Sequence, residues 1–295
     1  MTPDPISLFE KLREARSRLT AAGIPEADAS TDVDLYARVI LGWDRARLLT
    51  EHRDAPPAAL EPRFSEWIAR RERREPTAYI VGMREFWGLE FLVTPAVLIP
   101  RPETEVIVEE ALKVAGQRPR IADIGTGSGC IAVSVAHEIT DARVVASDVS
   151  AEALEIARLN ARRHGVADRV DFVCTSFLDG IDGPFDVITA NPPYVKDGDK
   201  PALSRDVRHE PEVALFGGTD GLQAIEATLL AARDRLRPAG WLIMEFGYGQ
   251  DDAVADRVGA TAGLRLERIR EDLQGIPRTA IIRKIANHKS QIANE

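Results

Sequence analysis

The chain has 295 residues, enough for one large domain and a smaller one. With 44% hydrophobic and 29% charged residues it reads as an ordinary globular protein, and no apolar run reaches the ~18 residues of a membrane span. The net charge of −9 argues against broad phosphate neutralisation on duplex nucleic acid.

Residues 1–75 predict a small helical bundle of four or five short helices. Ile6, Leu8, Phe9, Leu12 and Leu19 recur at near-helical spacing. So do Val33, Leu35, Tyr36, Val39, Ile40 and Leu41, and then Phe64, Trp67 and Ile68. Gly23, Gly42 and Pro56-Pro57 punctuate these stretches. The opening Met1-Thr2-Pro3-Asp4-Pro5 lacks the basic and apolar regions of a secretory signal. The run Arg70-Arg71-Glu72-Arg73-Arg74 reads as a solvated helix face rather than an RNA contact, because acidic and basic residues nearly balance in this region. Residues 76–100 change character. Tyr79-Ile80-Val81 and the segment 86–93 favour strands and predict a β-hairpin linker.

From 101 to 285 helical and strand patterns alternate. Helices are expected at 105–115, near 130–138 and at 151–164. Strands are expected at 121–124, 143–147, 170–174, 185–190 and 240–246, with 264–270 and 279–283 forming an antiparallel hairpin. This is the pattern of an α/β fold with a doubly wound, mostly parallel sheet and right-handed crossovers. Such sheets bind ligands beyond the carboxyl ends of their strands, near the switch in strand order. The polar residues 286–295 are expected to form a flexible tail. Cys130 and Cys174 fit neither a disulfide framework nor a zinc spacing, and are expected as small buried residues in a reducing cytoplasm. His52, His137, His164, His209 and His288 match no ligand spacing, so solvated or capping roles and no metal are expected.

The strand at 121–124 runs into Asp123-Ile124-Gly125-Thr126-Gly127-Ser128-Gly129 and then a helix. Glycines turn the chain sharply and leave room for a ligand against the backbone. The spacing is Gly-x-Gly-x-Gly, not the Gly-x-Gly-x-x-Gly that seats a dinucleotide pyrophosphate. It suits a nucleoside bearing an amino-acid arm. Asp148 ends the next strand, placed to accept hydrogen bonds from ribose hydroxyls. Its alternative role is a helix cap, for which Ser150 is the better candidate. Phe177 follows the third strand. Its position leaves open whether it stacks on an adenine or belongs to the core.

The strand at 185–190 delivers Asn191-Pro192-Pro193-Tyr194. The two prolines fix φ and remove two donors, leaving a stiff turn rich in acceptors. The Asn191 side-chain oxygen and a proline carbonyl suit the two N–H groups of a substrate –NH₂, with Tyr194 packing over the planar group. An amide nitrogen is a poor nucleophile because its lone pair is delocalised. Gripping both N–H groups orients it and stabilises the positive charge that develops. The activated methyl of a sulfonium needs no metal or covalent intermediate. These features together imply S-adenosyl-L-methionine and transfer of its methyl group to nitrogen.

The glycine loop, Asp148 and the Asn-Pro-Pro-Tyr turn resemble those of class I methyltransferases. Within that group the chain is similar to the peptide chain release factor N5-glutamine methyltransferases, the HemK/PrmC family. The resemblance covers about 75–283. It rests on Glu75-Pro76-x-x-Tyr79-Ile80-x-Gly82, Leu98-Ile99-Pro100-Arg101-Pro102-Glu103-Thr104-Glu105, the glycine loop and the tetrapeptide. It continues through Glu210-Pro211-x-x-Ala214-Leu215-x-Gly217-Gly218-x-Asp220-Gly221, Glu245-x-Gly247-x-x-Gln250 and Asp272-Leu273-x-Gly275-x-x-Arg278. The Ile-Pro-Arg-Pro-Glu-Thr-Glu segment is the most specific, since DNA adenine methyltransferases also use Asn-Pro-Pro-Tyr. The resemblance implies that Gly125, Thr126, Gly127, Ser128, Gly129, Asp148, Phe177 and Asn191 bind S-adenosyl-L-methionine, yielding S-adenosyl-L-homocysteine. It implies that Asn191, Pro192, Pro193 and Tyr194 hold the glutamine of a release factor's Gly-Gly-Gln, and that the N-terminal helices help engage that protein. A cytoplasmic monomer with no nucleic-acid or membrane partner is expected. Two stretches depart from the usual pattern: Ser176, where many members carry Asp, and Gly275-Ile276-Pro277 before Arg278, where polar residues are more usual. The alternatives are a nucleic-acid adenine N6-methyltransferase and a non-catalytic binding module.

Overall fold

The computed structural model describes residues 7–51 and 53–285. Ile6, His52, His288 and the tail 286–295 lie outside the described residues. The chain divides into two units, Met1–Gly82 with Ser204–His209, and Met83–Leu203 with Glu210–Glu295.

The first unit is helical: α1 (Leu8–Ala21), α2 (Glu26–Leu41), α3 (Arg45–Thr50), α4 (Arg63–Glu72) and α5 (Thr77–Val81). Ser7 opens α1 with a capping box, its hydroxyl accepting from the Glu10 N–H while Glu10 accepts from the Ser7 N–H. Leu8, Leu12, Ala15 and Leu19 then fall on one buried face. They meet Val33, Tyr36, Phe64, Ile68 and Ile80 in a single apolar core.

Two expectations fail in this unit. Residues 79–81 are helical, not a strand, and Tyr79 and Ile80 are buried. A five-residue helix between Pro76 and left-handed Gly82 is too short to show a 3.6 period, and Ile80-Val81 imitate a strand. Arg71 is not on a solvated face. It is buried, paired with Asp32 at 2.7 Å and with Asp206 at 2.8 Å, while Arg74 also reaches Asp206 at 2.7 Å. A guanidinium tolerates such burial only when carboxylates surround it. Asp206 lies on the short segment that joins this unit from far along the chain.

The second unit begins with the hairpin β1 (Met83–Phe86) and β2 (Leu89–Leu92), so the expected linker is divided between the two units. Trp87 and Gly88 both have positive φ, the tight turn that suits the twist of paired strands. The remaining elements are α6 (Glu105–Val114), β3 (Arg120–Ile124), α7 (Cys130–Glu138), β4 (Arg143–Asp148), α8 (Ala151–Arg163), β5 (Val170–Cys174) and β6 (Phe185–Ala190). After them come α9 (Gln223–Arg235), β7 (Leu236–Glu245), α10 (Asp251–Ala260), β8 (Leu264–Glu271) and β9 (Pro277–Lys284).

The seven-stranded sheet has the order β5-β4-β3-β6-β7-β9-β8. Its pairings are parallel except those of β9, which is antiparallel to both β7 and β8. Side chains alternate between two cores. Ile121, Val144, Val187 and Ile243 pack with α6, α7 and α8. Ala122, Ile124, Ile188, Leu242 and Met244 pack with α9 and α10. This two-sided burial makes the parallel strands nearly continuous apolar runs. Cys130 is buried as expected, but Cys174, at the end of edge strand β5, is exposed.

Candidate active site

Strand order reverses at β3, whose neighbours β4 and β6 lie on opposite sides. Ile124 is in register with Ser147 on one side and Ala190 on the other. The next residues, Gly125, Asp148 and Asn191, therefore leave adjacent strands at one edge. A cavity of about 310 Å³ opens there, a size suited to a small ligand. Gly125, Thr126, Gly127, Ser128, Asp148, Phe177, Asn191, Pro192 and Pro193 all line it; Gly129 and Tyr194 do not.

The loop after β3 is tied down from behind. Thr126 donates its N–H to the Ser147 carbonyl at 2.9 Å and its hydroxyl to Asp123 at 2.6 Å, and Thr189 donates to the other Asp123 oxygen at 2.8 Å. Burial pushes the Asp123 carboxyl up to about 6, against the pull of these hydroxyls. A Cβ on Gly125 or Gly127 would meet nothing within 4 Å, so both present open backbone. Ser128 Oγ is buried and makes no hydrogen bond within the described residues. An orphaned hydroxyl and bare backbone at the carboxyl end of β3 fit a polar cofactor. Cys130, also on the wall, is no reactive thiol, since burial pushes it up to about 12.

Gly129, expected to touch the cofactor, does not line the cavity, and its surroundings are those of close packing. It caps α7 at φ 81°, and a Cβ there would lie 3.1 Å from Ala157 Cβ and 3.2 Å from Ala157 Cα on α8. Gly129→Ala is expected to destabilise the protein by about 1–3 kcal/mol, since the left-handed strain and the clash coincide. The thermal midpoint should fall by ~2–4 °C per kcal/mol in a calorimetric scan; an unchanged midpoint would contradict this role.

Asp148 does more than face the cavity. One oxygen accepts the Gly127 N–H at 2.8 Å and the other the Ser150 N–H at 2.9 Å. Burial raises its carboxyl above the usual range, opposed by these backbone donors. Ser150 caps α8, accepting from the Ala153 N–H at 3.1 Å, so Asp148 is not the cap. Each carboxylate oxygen keeps a lone pair for a ligand hydroxyl. Phe177 is half-buried, with its ring both on the cavity wall and against the core, and its φ of 49° is unusual for a bulky residue.

At the end of β6, Asn191 donates its side-chain N–H to Thr104 Oγ1 at 3.1 Å. Thr104 donates to Glu245 at 2.6 Å, and the Tyr194 hydroxyl donates to the other Glu245 oxygen at 3.2 Å. Tyr194, expected to pack over the substrate group, sits against the core and does not line the cavity. Burial pushes its hydroxyl well above the ordinary range. Both proline bonds of the tetrapeptide are trans. Behind the turn, Val195 pairs with Phe216, and a Cβ on Gly217 would lie 2.3 Å from the Pro193 carbonyl, so that glycine is what lets the two backbones meet.

Three supporting residues escaped the reading of the sequence in these roles. Thr104 and Glu245 lie in segments singled out there but were given no task. Asn160, fully buried on α8, joins the Leu92 N–H and carbonyl to the Ser128 carbonyl, at 2.8, 3.0 and 2.8 Å. Its signal was an amide on the face that otherwise carries Ala153, Leu154, Ala157 and Ala161. The ion pair Arg101–Glu210, 2.5 Å, joins two further segments of the family pattern at the cavity wall.

A family model described as the PrmC N-terminal domain matches residues 10–82, and one described as a methyltransferase small domain matches 103–213. A release factor glutamine methyltransferase of Bradyrhizobium diazoefficiens is 42% identical over 97% of this chain and 99% of its own length. One from Moorella thermoacetica is also 42% identical, over 92% and 96%. Among solved structures, a methyltransferase from Pyrococcus furiosus shares the fold at TM-score 0.52 and 22% identity, covering 68% of this chain and 91% of that one. The hMettl16 catalytic domain does so at TM-score 0.55 and 16% identity, covering 74% and 82%.

Proposed function

The chain belongs to the release factor glutamine methyltransferase family, and on that premise we propose that it methylates the side-chain nitrogen N5 of the glutamine in a release factor's Gly-Gly-Gln motif. It is an S-adenosyl-L-methionine-dependent methyltransferase. The observation that carries the proposal is the Asn191 amide, held by its nitrogen end so that its oxygen remains as an acceptor on the cavity wall. Full-length relatives named for glutamine methylation support glutamine over a nucleic-acid adenine as the acceptor.

When bound, S-adenosyl-L-methionine supplies a methyl group activated on a sulfonium and leaves as S-adenosyl-L-homocysteine. In the proposal Gly125, Gly127 and Ser128 flank the amino-acid arm, Asp148 accepts from the ribose hydroxyls, and Phe177 stacks on the adenine. Asn191 Oδ1 and the Pro192 carbonyl accept the two amide N–H groups of the glutamine. The Pro193 carbonyl, lying against Gly217, is the less suited of the two. Holding both protons fixes the nitrogen lone pair and stabilises the positive charge as the carbon–nitrogen bond forms. Alignment of this kind contributes up to ~7–11 kcal/mol. Tyr194 supports the turn through Glu245. No metal role is proposed. The N-terminal helical unit is proposed to engage the substrate protein. No helix among the described residues is long and apolar enough to cross a membrane.

The test is transfer of label from the cofactor to a purified release factor. Label should appear on the factor and vanish when its Gly-Gly-Gln glutamine is changed to alanine. Label that persists after that change, or that appears in DNA or RNA instead, would overturn the proposal.

A further inference from the structure

We infer that Glu245, acting through Thr104, sets which end of the Asn191 amide faces the cavity, making both of them positioning residues for methyl transfer. The inference rests on the reading of Asn191 as acceptor for the substrate amide, and it adds what makes Asn191 an acceptor at all. The two ends of an amide are nearly equal in size, so only its hydrogen bonds decide its orientation.

The chain of bonds has a direction. Glu245 ends β7 and is 2% exposed. An ionised carboxylate carries no proton and can only accept. The single Thr104 proton therefore goes to Glu245 Oε2, at 2.6 Å. Thr104 Oγ1, its proton spent, can only accept, and takes an N–H from Asn191 at 3.1 Å. The nitrogen end is thereby held and the oxygen end is left over. A protonated Glu245 would reverse the chain. It would donate to Thr104, whose own proton would then turn toward Asn191 and favour the flipped amide. Two N–H donors would then confront a substrate nitrogen that carries N–H groups itself. The other Glu245 oxygen accepts from the Tyr194 hydroxyl at 3.2 Å, so one carboxylate fixes both ends of the tetrapeptide.

The groups facing Glu245 come from four elements besides its own strand, among them the buried Cys130 thiol at the start of α7. Thr104 and Tyr194 donate to it, Arg278 on β9 favours its charge, and Glu103 before α6 opposes it. Burial opposes the charge most strongly and raises the carboxyl above the ordinary carboxylate range. Loss of the acceptor orientation on acidification is therefore expected sooner than an exposed glutamate would give.

The experiment uses the full chain, labelled cofactor and a release factor. Thr104→Val keeps the shape of the side chain and removes the hydroxyl. Its kcat should fall at least tenfold, with substrate KM and the cofactor Kd from calorimetry within threefold of wild type. Thr104→Ser restores the hydroxyl and should recover most of the loss. Wild-type kcat should decline on the acid side along a single ionisation, and Glu245→Gln, which has no proton to gain, should lack that limb. A Thr104→Val enzyme within twofold of wild-type kcat would overturn the inference. So would a Thr104→Ser enzyme as slow as Thr104→Val, or an unchanged acid limb in Glu245→Gln. If Glu245→Gln fails to fold, the two Thr104 variants decide. Inactive wild type would sink the glutamine reading itself, whereas active wild type with an unaffected Thr104→Val sinks only the relay.

Discussion

Replacing Asn191 by alanine is expected to lower kcat for methyl transfer by ~10²–10³-fold, the usual loss when one preorganised polar group at a reacting centre is removed. The variant loses the oxygen proposed to accept one of the two substrate N–H groups. Thr104 still donates to Glu245, and Tyr194 still does so from the other side, so the turn that carries the site should survive. The cofactor Kd should therefore move far less than kcat, because the glycine loop and Asp148 are held by bonds that do not involve Asn191. Single-turnover kinetics with saturating cofactor separate the two effects. A kcat within tenfold of wild type would mean that the amide grip lies elsewhere, and a collapse of cofactor affinity in parallel would mean that Asn191 serves mainly to bind.

The site was legible in the sequence to the extent that its chemistry sits at strand ends. Gly125, Asp148 and Asn191 each follow an apolar run that reads as a strand, and parallel register then brings the three together. Phe177 was ambiguous because stacking on a ligand and packing in a core use the same apolar ring, and its ring does line both cavity and core. Gly129 and Tyr194 do not line the cavity. A motif names a loop but not the direction in which each residue points, and these two face α8 and Glu245. The helices α9 and α10 were passed over although Ile225, Leu229 and Ala232, and then Val254 and Val258, mark their buried faces. The short α5 carried too few residues to reveal its period. The relay through Thr104 and Glu245 spans 141 positions of sequence, and only the seven-stranded sheet and the turn before α6 bring them together.

Replacing Asp148 should disable the cofactor site. In Asp148→Ala the two proposed ribose hydrogen bonds would be lost, each worth ~1.5–3 kcal/mol when charge-assisted, so the Kd should rise by ~10²–10⁴-fold. The Gly127 and Ser150 N–H groups also lose their acceptor, which loosens the loop that presents the bare glycines. Asp148→Asn is the sharper test because it preserves shape. Its two backbone partners are both donors on opposite oxygens, so one of them must now face an NH₂ group. The Kd should still rise at least tenfold. The wild-type protein should also bind more weakly on acidification, because protonation turns one acceptor oxygen into a donor. Burial raises this carboxyl, so the weakening should begin above the ordinary aspartate range. Asp148→Asn has no proton to gain there, and its affinity should be flat over the same interval. Calorimetric titrations at stepped pH, with the thermal midpoint of the ligand-free protein as a control for folding, measure both effects. A Kd within threefold of wild type for Asp148→Asn would remove Asp148 from the cofactor site and leave it the task of bracing the glycine loop.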